Sequence, residues 1–149
     1  MPPFDAPVAD TPSPRISTQD FHRLLEEQHP FAEVLGIEIT DIGYGTARAV
    51  LPPRDSHQRL GGIVAGPMLM GLADLALYAA VVGATGQPHA VTSSLTINFL
   101  RKSPAGAIIA DARLLKIGRT TAGEVILHSE HSPEPLAHIV STWAVPAAS

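Results

Sequence analysis

The sequence predicts an α+β fold in which an antiparallel sheet wraps around one long central helix. The apolar run GPMLMGLADLALYAAVVG at residues 66–83 has the length and composition of a buried helix, and four strand-like segments follow it with short turns between them. Consecutive strands joined by short turns pair antiparallel, and a helix that is apolar on all sides must be covered by other elements. A sheet curled around the helix satisfies both constraints.

A short amphipathic helix is predicted to precede the sheet. Ser17 and the following Thr18 are favourable capping residues. Phe21, Leu24 and Leu25 share one helix face, and Pro30 ends the helix. Residues 31–36 are then expected to form a turn. A β-hairpin follows, because residues 37–42 alternate strictly between apolar and polar side chains, Gly43-Tyr44-Gly45 forms a turn, and TARAVLP continues as a second strand.

The central helix is predicted to begin at Gly66-Pro67 and to end at Gly83, since proline suits the first helical turn and glycine suits the end. Asp74 lies about two turns inside it and carries the only formal charge between Arg59 and His89. A lone carboxylate in an apolar interior is costly, so such a residue usually has a partner, water access or a chemical task. The alternative is that Asp74 lies on a narrow wet stripe facing solvent or a partner subunit.

The strand after this helix, residues 91–99, alternates almost without error. Four apolar side chains are expected to face the core: Val91, Leu95, Ile97 and Phe99. Four polar side chains are expected to point the other way: Thr92, Ser94, Thr96 and Asn98. Three more strands are predicted around residues 107–117, 122–131 and 136–145, separated by turns at the GRTT and SPEP segments.

Composition indicates one domain over residues 17–149, preceded by a proline-rich, acidic and flexible N-terminal arm over residues 1–16. The net charge of −4 and the lack of a Lys/Arg run argue against nucleic acid or an anionic membrane as the main partner. The sequence has no cysteine, which excludes a disulfide framework and a thiolate nucleophile and fits a cytoplasmic location. The apolar helix is interpreted as a buried helix and not as a membrane span.

Three segments together, RLGGIVAGPMLMGLADLA, VTSSLTINFLRKSPAG and GRTT, resemble the hotdog-fold acyl-CoA thioesterases. The nearest branch is the one named for phenylacetyl-CoA and 4-hydroxybenzoyl-CoA thioesterases, and the resemblance covers roughly residues 30–145. It implies a hotdog fold and hydrolysis of a small or medium acyl-CoA, aryl groups included, to the free acid and CoA without a cofactor. It also implies homodimers whose sheets join edge to edge, with active sites at the interface, or dimer-of-dimers tetramers.

The resemblance also assigns catalytic roles. The family's acidic residue falls on Asp74, as general base or nucleophile, and its oxyanion-binding backbone N–H falls on Gly66. Free amides at a helix N-terminus point at developing negative charge, which makes that role physically reasonable. A hydroxyl residue that positions the attacking water falls on Thr92. The alternative for Thr92 is an ordinary β-branched strand residue.

The loop before the helix departs from the family pattern. Arg59 stands where many members have asparagine, Ala65 where they have histidine, and Pro67 where they have the second glycine of a pair. Arg59 could bind an acyl carboxylate, pair with Asp74, or be an exposed loop arginine. By the resemblance, three cations at strand ends face the CoA phosphates, although surface cations at turns are usually only solvated: Arg101, Lys102 and Arg119.

Two rival functions follow from these departures. One is a catalytically weak acyl-CoA-binding protein, suggested by Arg59 and Ala65. The other is a scaffold in which Asp74 is a solvated interface residue. A metal site is not expected, because His128 and His131 lie three apart on a predicted strand and no HExxH spacing occurs. The sequence also lacks a G-x-S-x-G elbow and a phosphate-binding glycine loop.

Overall fold

A six-stranded antiparallel sheet wraps around one long helix, which confirms the predicted α+β fold class. The computed structural model describes residues 12–147. The elements in chain order are α1 (Thr18–Gln28), α2 (Pro30–Leu35), β1 (Glu38–Ile42), β2 (Thr46–Leu51), β3 (Gln58–Arg59), β4 (Ile63–Val64), α3 (Gly66–Thr85), β5 (Val91–Phe99), β6 (Ile108–Lys116), β7 (Thr120–Ser129) and β8 (Ser132–Ala144). The sheet order is β1-β2-β6-β7-β8-β5, and β3 and β4 form a separate small hairpin.

Residues 1–11 of the predicted arm lie outside the described residues. The rest of that stretch contacts the domain, because the backbone N–H of Arg15 donates to the carbonyl of Gly83 at 2.7 Å. Ile16 packs against the hydrophobic core.

The N-terminal region contains two helices where the sequence predicts one helix and a turn. In α1, the side chain of Ser17 accepts a hydrogen bond from the backbone N–H of Asp20, as expected of a cap. The predicted turn over residues 31–36 is wrong, because α2 occupies it. Pro30 is the first residue of α2, and Gly36 ends this helix in the left-handed conformation at φ 69°. Proline is therefore a helix start here as well as the end of α1.

The central helix α3 begins at Gly66, as predicted, but its predicted end at Gly83 is wrong. It continues to Thr85, and Gly86 ends it in the left-handed conformation. Gly83 is a close-packing position instead: a Cβ atom there would lie 2.6 Å from the carbonyl oxygen of Gly43 and 2.7 Å from Ile42 Cγ2. A glycine required by packing and a glycine that ends a helix look alike in sequence.

α3 is buried in the fold. In the part of the chain that the structure describes, it alone is long and apolar enough to cross a membrane. Of the 18-residue apolar stretch of this helix, 72% is buried inside the domain. Its side chains pack against β2, β6 and β7 in one continuous hydrophobic core. It is therefore the core helix and not a membrane span.

Among residues 12–147, strand β5 pairs only with β8 and therefore lies at an edge of the sheet. Its register with β8 shifts between Thr92 and Ser94, so Ser93 forms a bulge. Thr92 pairs with the buried Trp143 and therefore shares its face, because directly opposed residues in an antiparallel pair point the same way. The prediction that Thr92 points away from the core side is wrong, because the bulge reverses the alternation.

Two of the four predicted core residues of β5 are also placed differently. Val91 and Phe99 are 59% and 52% exposed, whereas Leu95 and Ile97 pack against the core. An edge strand is covered only where a neighbour or α3 lies over it, so its two ends stay open.

The turn between β7 and β8 is shorter than predicted. Ser129 pairs with Ser132 across a two-residue turn, so the SPEP segment begins β8 and the prediction of a turn there is wrong. Prolines are tolerated at the start of a strand, where a missing N–H disrupts few ladder bonds.

Two ion clusters lie on the sheet face opposite α3. In the first, Asp111 accepts a hydrogen bond from Arg48 Nε at 2.7 Å, and its other oxygen lies 3.0 Å from His128 Nε2. Burial acts to raise the pKa of Asp111, but the hydrogen bonds from Arg48 and His128 outweigh it and hold the pKa below its usual range.

The second cluster repeats the pattern one strand further along. Glu124 Oε1 lies 2.7 Å from Arg113 Nε, and Glu124 Oε2 lies 3.0 Å from His138 Nε2. Hydrogen bonds from His138 and Arg113 hold the pKa of Glu124 below its usual range. The cluster thus favours the ionised carboxylate in the folded state.

Glu124→Gln is expected to weaken the loss of stability in acid. A carboxylate whose pKa is lowered by folding stabilises the fold above its unfolded pKa, and this contribution is lost as the pH falls through the folded value. The free energy of unfolding should therefore fall less below pH 4.5, the ordinary glutamate value, in the variant than in the wild type. Urea unfolding across this range measures it. The exposed Glu26→Gln is the control, and identical acid limbs for all three proteins would contradict the expectation.

Gly83→Ala is expected to destabilise the domain by about 1–3 kcal/mol, because the new methyl group would overlap the Gly43 carbonyl and Ile42. Helix propensity alone predicts the opposite sign, a gain of about 1 kcal/mol. Chemical denaturation distinguishes the two, and a more stable variant would show that the backbone contact is not limiting.

Candidate functional site

Asp74 and Gly66 border two separate clefts along α3. The cleft at Asp74 has a volume of about 320 Å³, and the cleft at Gly66 has a volume of about 430 Å³. The two residues are eight positions apart, which is about 12 Å along a helix with a rise of 1.5 Å per residue. A single thioester carbonyl therefore cannot contact both residues of one protomer.

The carboxylate of Asp74 is partly exposed in its cleft and is held by one hydroxyl group. Thr92 Oγ1 donates a hydrogen bond to Asp74 Oδ1 at 2.6 Å. The bulge at Ser93 turns Thr92 toward α3 and makes this contact possible. Asp74 thus has a hydrogen-bond partner and access to water. It is therefore not a buried, unpaired charge.

The walls of the Asp74 cleft are mostly apolar and aromatic. They are formed chiefly by Leu25, His29, Phe31, Leu35, Leu75, Tyr78 and Trp143. Tyr78 stacks on Trp143 with ring centroids 6.0 Å apart and an interplanar angle of 19°. A cleft of this lining suits an apolar group next to the carboxylate.

Tyr78 and His29 form a hydrogen-bonded pair at this cleft. The hydroxyl of Tyr78 donates to the carbonyl of Pro88 at 2.6 Å, and burial raises the pKa of Tyr78 to about 12. The one hydroxyl proton of Tyr78 is therefore used in the bond to Pro88. The remaining contact requires His29 Nε2–H to donate to the Tyr78 oxygen at 3.0 Å. The sequence reasoning missed this pair. The available signal was the spacing of Tyr78 four residues after Asp74, which places both on one helix face.

Gly66 presents a backbone N–H at the start of α3. This amide has no intrahelical partner by position, and among residues 12–147 it makes no hydrogen bond. A Cβ atom at Gly66 would lie 3.3 Å from Phe99 Cζ, so glycine keeps the approach to the amide open. Ala65 is the cap residue without a side-chain cap bond, and Pro67 follows in the first turn.

The loop before α3 is anchored by backbone hydrogen bonds. The N–H of Ala65 donates to the carbonyl of His57 at 2.8 Å, and the N–H of Val64 donates to the carbonyl of Ser103 at 3.1 Å. Arg59 lines the Gly66 cleft, and no salt bridge joins it to Asp74 within the described part of the protomer. The loop therefore holds Arg59 on the Gly66 side.

The three predicted phosphate-binding cations are divided between two places. Arg101 and Lys102 line the Gly66 cleft together with Arg59. Arg101 is already engaged, since its Nη1 donates to the carbonyl of Pro135 at 2.6 Å and its Nε lies 3.6 Å from Glu134. Arg119 lies at the opposite end of the sheet, because the neighbouring Thr120 pairs with Ala144, which in turn pairs with Val91.

These parts have complementary chemistry. A carboxylate held by a hydroxyl can accept a proton from water, and a free amide at a helix N-terminus can stabilise an oxyanion. Across residues 12–147, no group of three or more His, Asp or Glu side chains is placed to hold a metal ion. One protomer contains both groups, but in different clefts.

Comparison with known proteins identifies the family. A model of the thioesterase superfamily matches residues 61–126. A protein assigned as a thioesterase from Silicibacter sp. TM1040 has a solved structure that is 32% identical, with a TM-score of 0.80, and the match covers 90% of this chain and 94% of that one. The phenylacetic acid degradation protein PaaI from Thermus thermophilus is 28% identical, with a TM-score of 0.71 and coverage of 78% and 99%.

A relative from Saccharolobus solfataricus, assigned as an esterase, is 26% identical over 132 residues, which cover 89% of this chain and 87% of the relative. The residues matched by the family model include the end of the loop before α3 and the whole of that helix. These matches confirm the resemblance found in the sequence. The chain belongs to the thioesterase superfamily and is a thioester hydrolase with the hotdog fold.

Proposed function

We propose that this protein is a cytoplasmic acyl-CoA thioesterase whose active sites are each shared by two protomers of a homodimer, alone or within a dimer-of-dimers tetramer. The substrate is a small or medium acyl-CoA, aryl esters included. The separation of Asp74 and Gly66 into two clefts of one protomer carries the proposal. Each group needs the other, and only a second copy brings them together.

The free edge of β5 supports this assembly. Within the part of the chain that the structure describes, β5 pairs on one side only, and an unpaired strand edge favours pairing with another strand. A two-fold axis near Leu95 would pair β5 with its symmetry copy in antiparallel fashion. The Thr92 end of one strand would then lie beside the Phe99 end of the other. Because Phe99 lies against Gly66, the partner's Gly66 would approach Thr92 and Asp74.

In this arrangement the thioester carbonyl oxygen accepts a hydrogen bond from the N–H of Gly66. Asp74 of the other protomer removes a proton from water as the water oxygen attacks the carbonyl carbon. The tetrahedral intermediate then collapses, the carbon–sulfur bond breaks, and Asp74 returns the proton to the departing CoA thiolate. The products are a free acid and CoA, so atoms and charge balance without a cofactor.

Thr92 acts as a positioning residue in this proposal. Its hydrogen bond occupies Asp74 Oδ1 and leaves Oδ2 available to the attacking water. The same geometry allows Asp74 to attack the carbonyl directly as a nucleophile. In that route CoA thiolate leaves as a mixed anhydride forms, and water then hydrolyses the anhydride. Label from ¹⁸O-water in Asp74 after a single turnover identifies this route, because it requires water to open the anhydride at the Asp74 carbonyl.

The cations fit the CoA end of the ligand. Arg59 and Lys102 line the Gly66 cleft and have no ion-pair partner among the side chains that the structure describes. Arg119 belongs to the Thr92 end of the sheet and would reach the same ligand from the partner protomer. Arg101 is the weakest candidate, because Pro135 and Glu134 already hold its guanidinium group.

Asp74→Asn is expected to lower kcat for acyl-CoA hydrolysis by about 10²–10⁴-fold, because the amide cannot accept the proton of water. Thr92→Val should cause a smaller loss of about tenfold, since it removes a hydrogen bond to a charged group. Release of free CoA from a panel of acyl-CoA esters measures both. Calorimetry should find CoA binding unchanged in each variant.

The exposed Asp20→Asn serves as the matched control and should keep wild-type activity. An active Asp74→Asn protein would remove Asp74 from the mechanism. A wild-type protein that binds the esters without releasing CoA would instead identify a binding protein, as the replacements at Arg59 and Ala65 suggest.

Mixed dimers test whether the site is shared. Gly66→Pro removes the N–H at a position where proline fits a helix start, so this variant and Asp74→Asn should each be nearly inactive. A mixed dimer has one site with both defects and one intact site, so about half of the wild-type activity should return. Differently tagged chains, co-expressed and purified in two steps, provide the mixed dimers.

Thermal unfolding of each variant establishes that both are folded. Mixed dimers as inactive as their parents would place Gly66 and Asp74 of the same chain in one site and overturn the shared arrangement.

A further inference from the structure

The short helix α2 is the least anchored wall of the Asp74 cleft. It has six residues and no fully buried side chain, and Phe31 and Val34 are each 68% exposed. Helices this short are not stable in isolation and depend on packing. Within the described chain, the backbone hydrogen bonds of residues 30–36 reach no further than the carbonyl of His29, so none of them ties α2 to α3 or to the sheet.

Clefts lie on both sides of α2. The Asp74 cleft, of about 320 Å³, borders Phe31 and Leu35. A second cleft of about 470 Å³ borders Glu33 and Gly36 on the other side. Leu25 of α1 and Ala32 of α2 line both clefts, so these two helices lie between the clefts. Displacing α2 would merge the two spaces.

Side-chain contacts with α3 hold the two ends of α2, and Ala32 packs against the core between them. At its start, His29 donates to Tyr78 of α3. At its end, Leu35 packs onto Gly71, where a Cβ atom would lie 3.2 Å from Leu35 Cδ1. Glycine inside a helix costs about 1 kcal/mol relative to alanine, so its presence in α3 calls for a packing reason. The close approach of Leu35 supplies that reason.

Gly71 precedes Asp74 by three residues and therefore lies on the same face of α3. Leu35 thus closes the cleft about one helical turn from the carboxylate. A volume of about 320 Å³ is at the small end of the roughly 300–1,000 Å³ usual for ligand pockets. With α2 seated, the space next to Asp74 suits a short acyl group.

We propose that α2 is a movable wall of the Asp74 cleft and that the contact between Leu35 and Gly71 sets the length of the acyl group admitted there. This inference rests on the proposed function, because it takes the group beside Asp74 to be the acyl part of the substrate. Short esters bind with α2 seated. Longer esters must displace Leu35 and therefore bind less tightly.

Leu35→Ala should raise the ratio of kcat/KM for decanoyl-CoA to that for butanoyl-CoA by about tenfold or more, because the lost side chain extends the cleft. The gain should lie mainly in KM for the longer ester. Leu35→Phe should lower the same ratio. Val34→Ala is the matched control, because Val34 lies on the same helix but lines neither cleft, and its ratio should stay at the wild-type value. Equal effects of Leu35→Ala on both esters, or an equal shift in Val34→Ala, would overturn the inference.

Amide hydrogen exchange tests the movable wall without any turnover. Amides of residues 34–36 should exchange much faster than those in the middle of α3, and Tyr78→Phe should accelerate the exchange of α2 further by removing the acceptor of His29. Protection of α2 equal to that of α3 would overturn the movable wall. If the wild type hydrolyses no acyl-CoA, the proposed function fails, and the proposed selection of acyl length fails with it. Amide hydrogen exchange would still show whether α2 is mobile.

Discussion

The enclosure of α3 is the constraint on which the rest of the structure depends. Because this helix is apolar on nearly every side, it is stable in water only when other elements cover it. Fully buried side chains such as Leu72, Leu77 and Val81 each contribute roughly 1.5–3 kcal/mol by leaving water. Small residues let the neighbouring backbone approach, and Gly83 against the Gly43 carbonyl is the tightest example. The curvature of the sheet follows from the need to cover this one cylinder.

The same enclosure is incomplete where the sheet ends, and the proposed catalytic residue lies there. β5 is the last strand, so the part of α3 beside it is not covered as the part under β6 and β7 is. Asp74 lies at this boundary, where a carboxylate keeps access to water without leaving the core helix. The bulge at Ser93 then turns Thr92 onto the carboxylate. One irregular residue in an edge strand thus joins the sheet to the site.

The proposed shared site also depends on the open edge of β5. A rigid helix holds Asp74 and Gly66 about 12 Å apart, so no local rearrangement of one protomer can bring them together. Two-fold pairing at the sheet edge solves this problem with the surface that the fold leaves unpaired. The proposed acyl pocket next to Asp74 is closed on its other side by α2, none of whose side chains is buried. The proposed specificity therefore lies in a short helix without buried side chains, where small changes in side-chain size alter the pocket at low cost to the core.

The sequence by itself determined the fold class, the order and approximate positions of the six strands of the main sheet, the start of α3 and the identity of Asp74 as the exceptional residue, because apolar periodicity and an isolated charge are local properties. Tertiary structure alone decided that Thr92 contacts Asp74, that Gly83 lies inside α3, that Arg101 is held by Pro135 and Glu134, and that His29 pairs with Tyr78. Each of these depends on residues distant in the chain: the bulge exists only relative to β8, and Gly83 is required only because Gly43 lies against it. Spacing in a sequence predicts which face of an element a residue occupies. Register and packing between elements decide what that face meets.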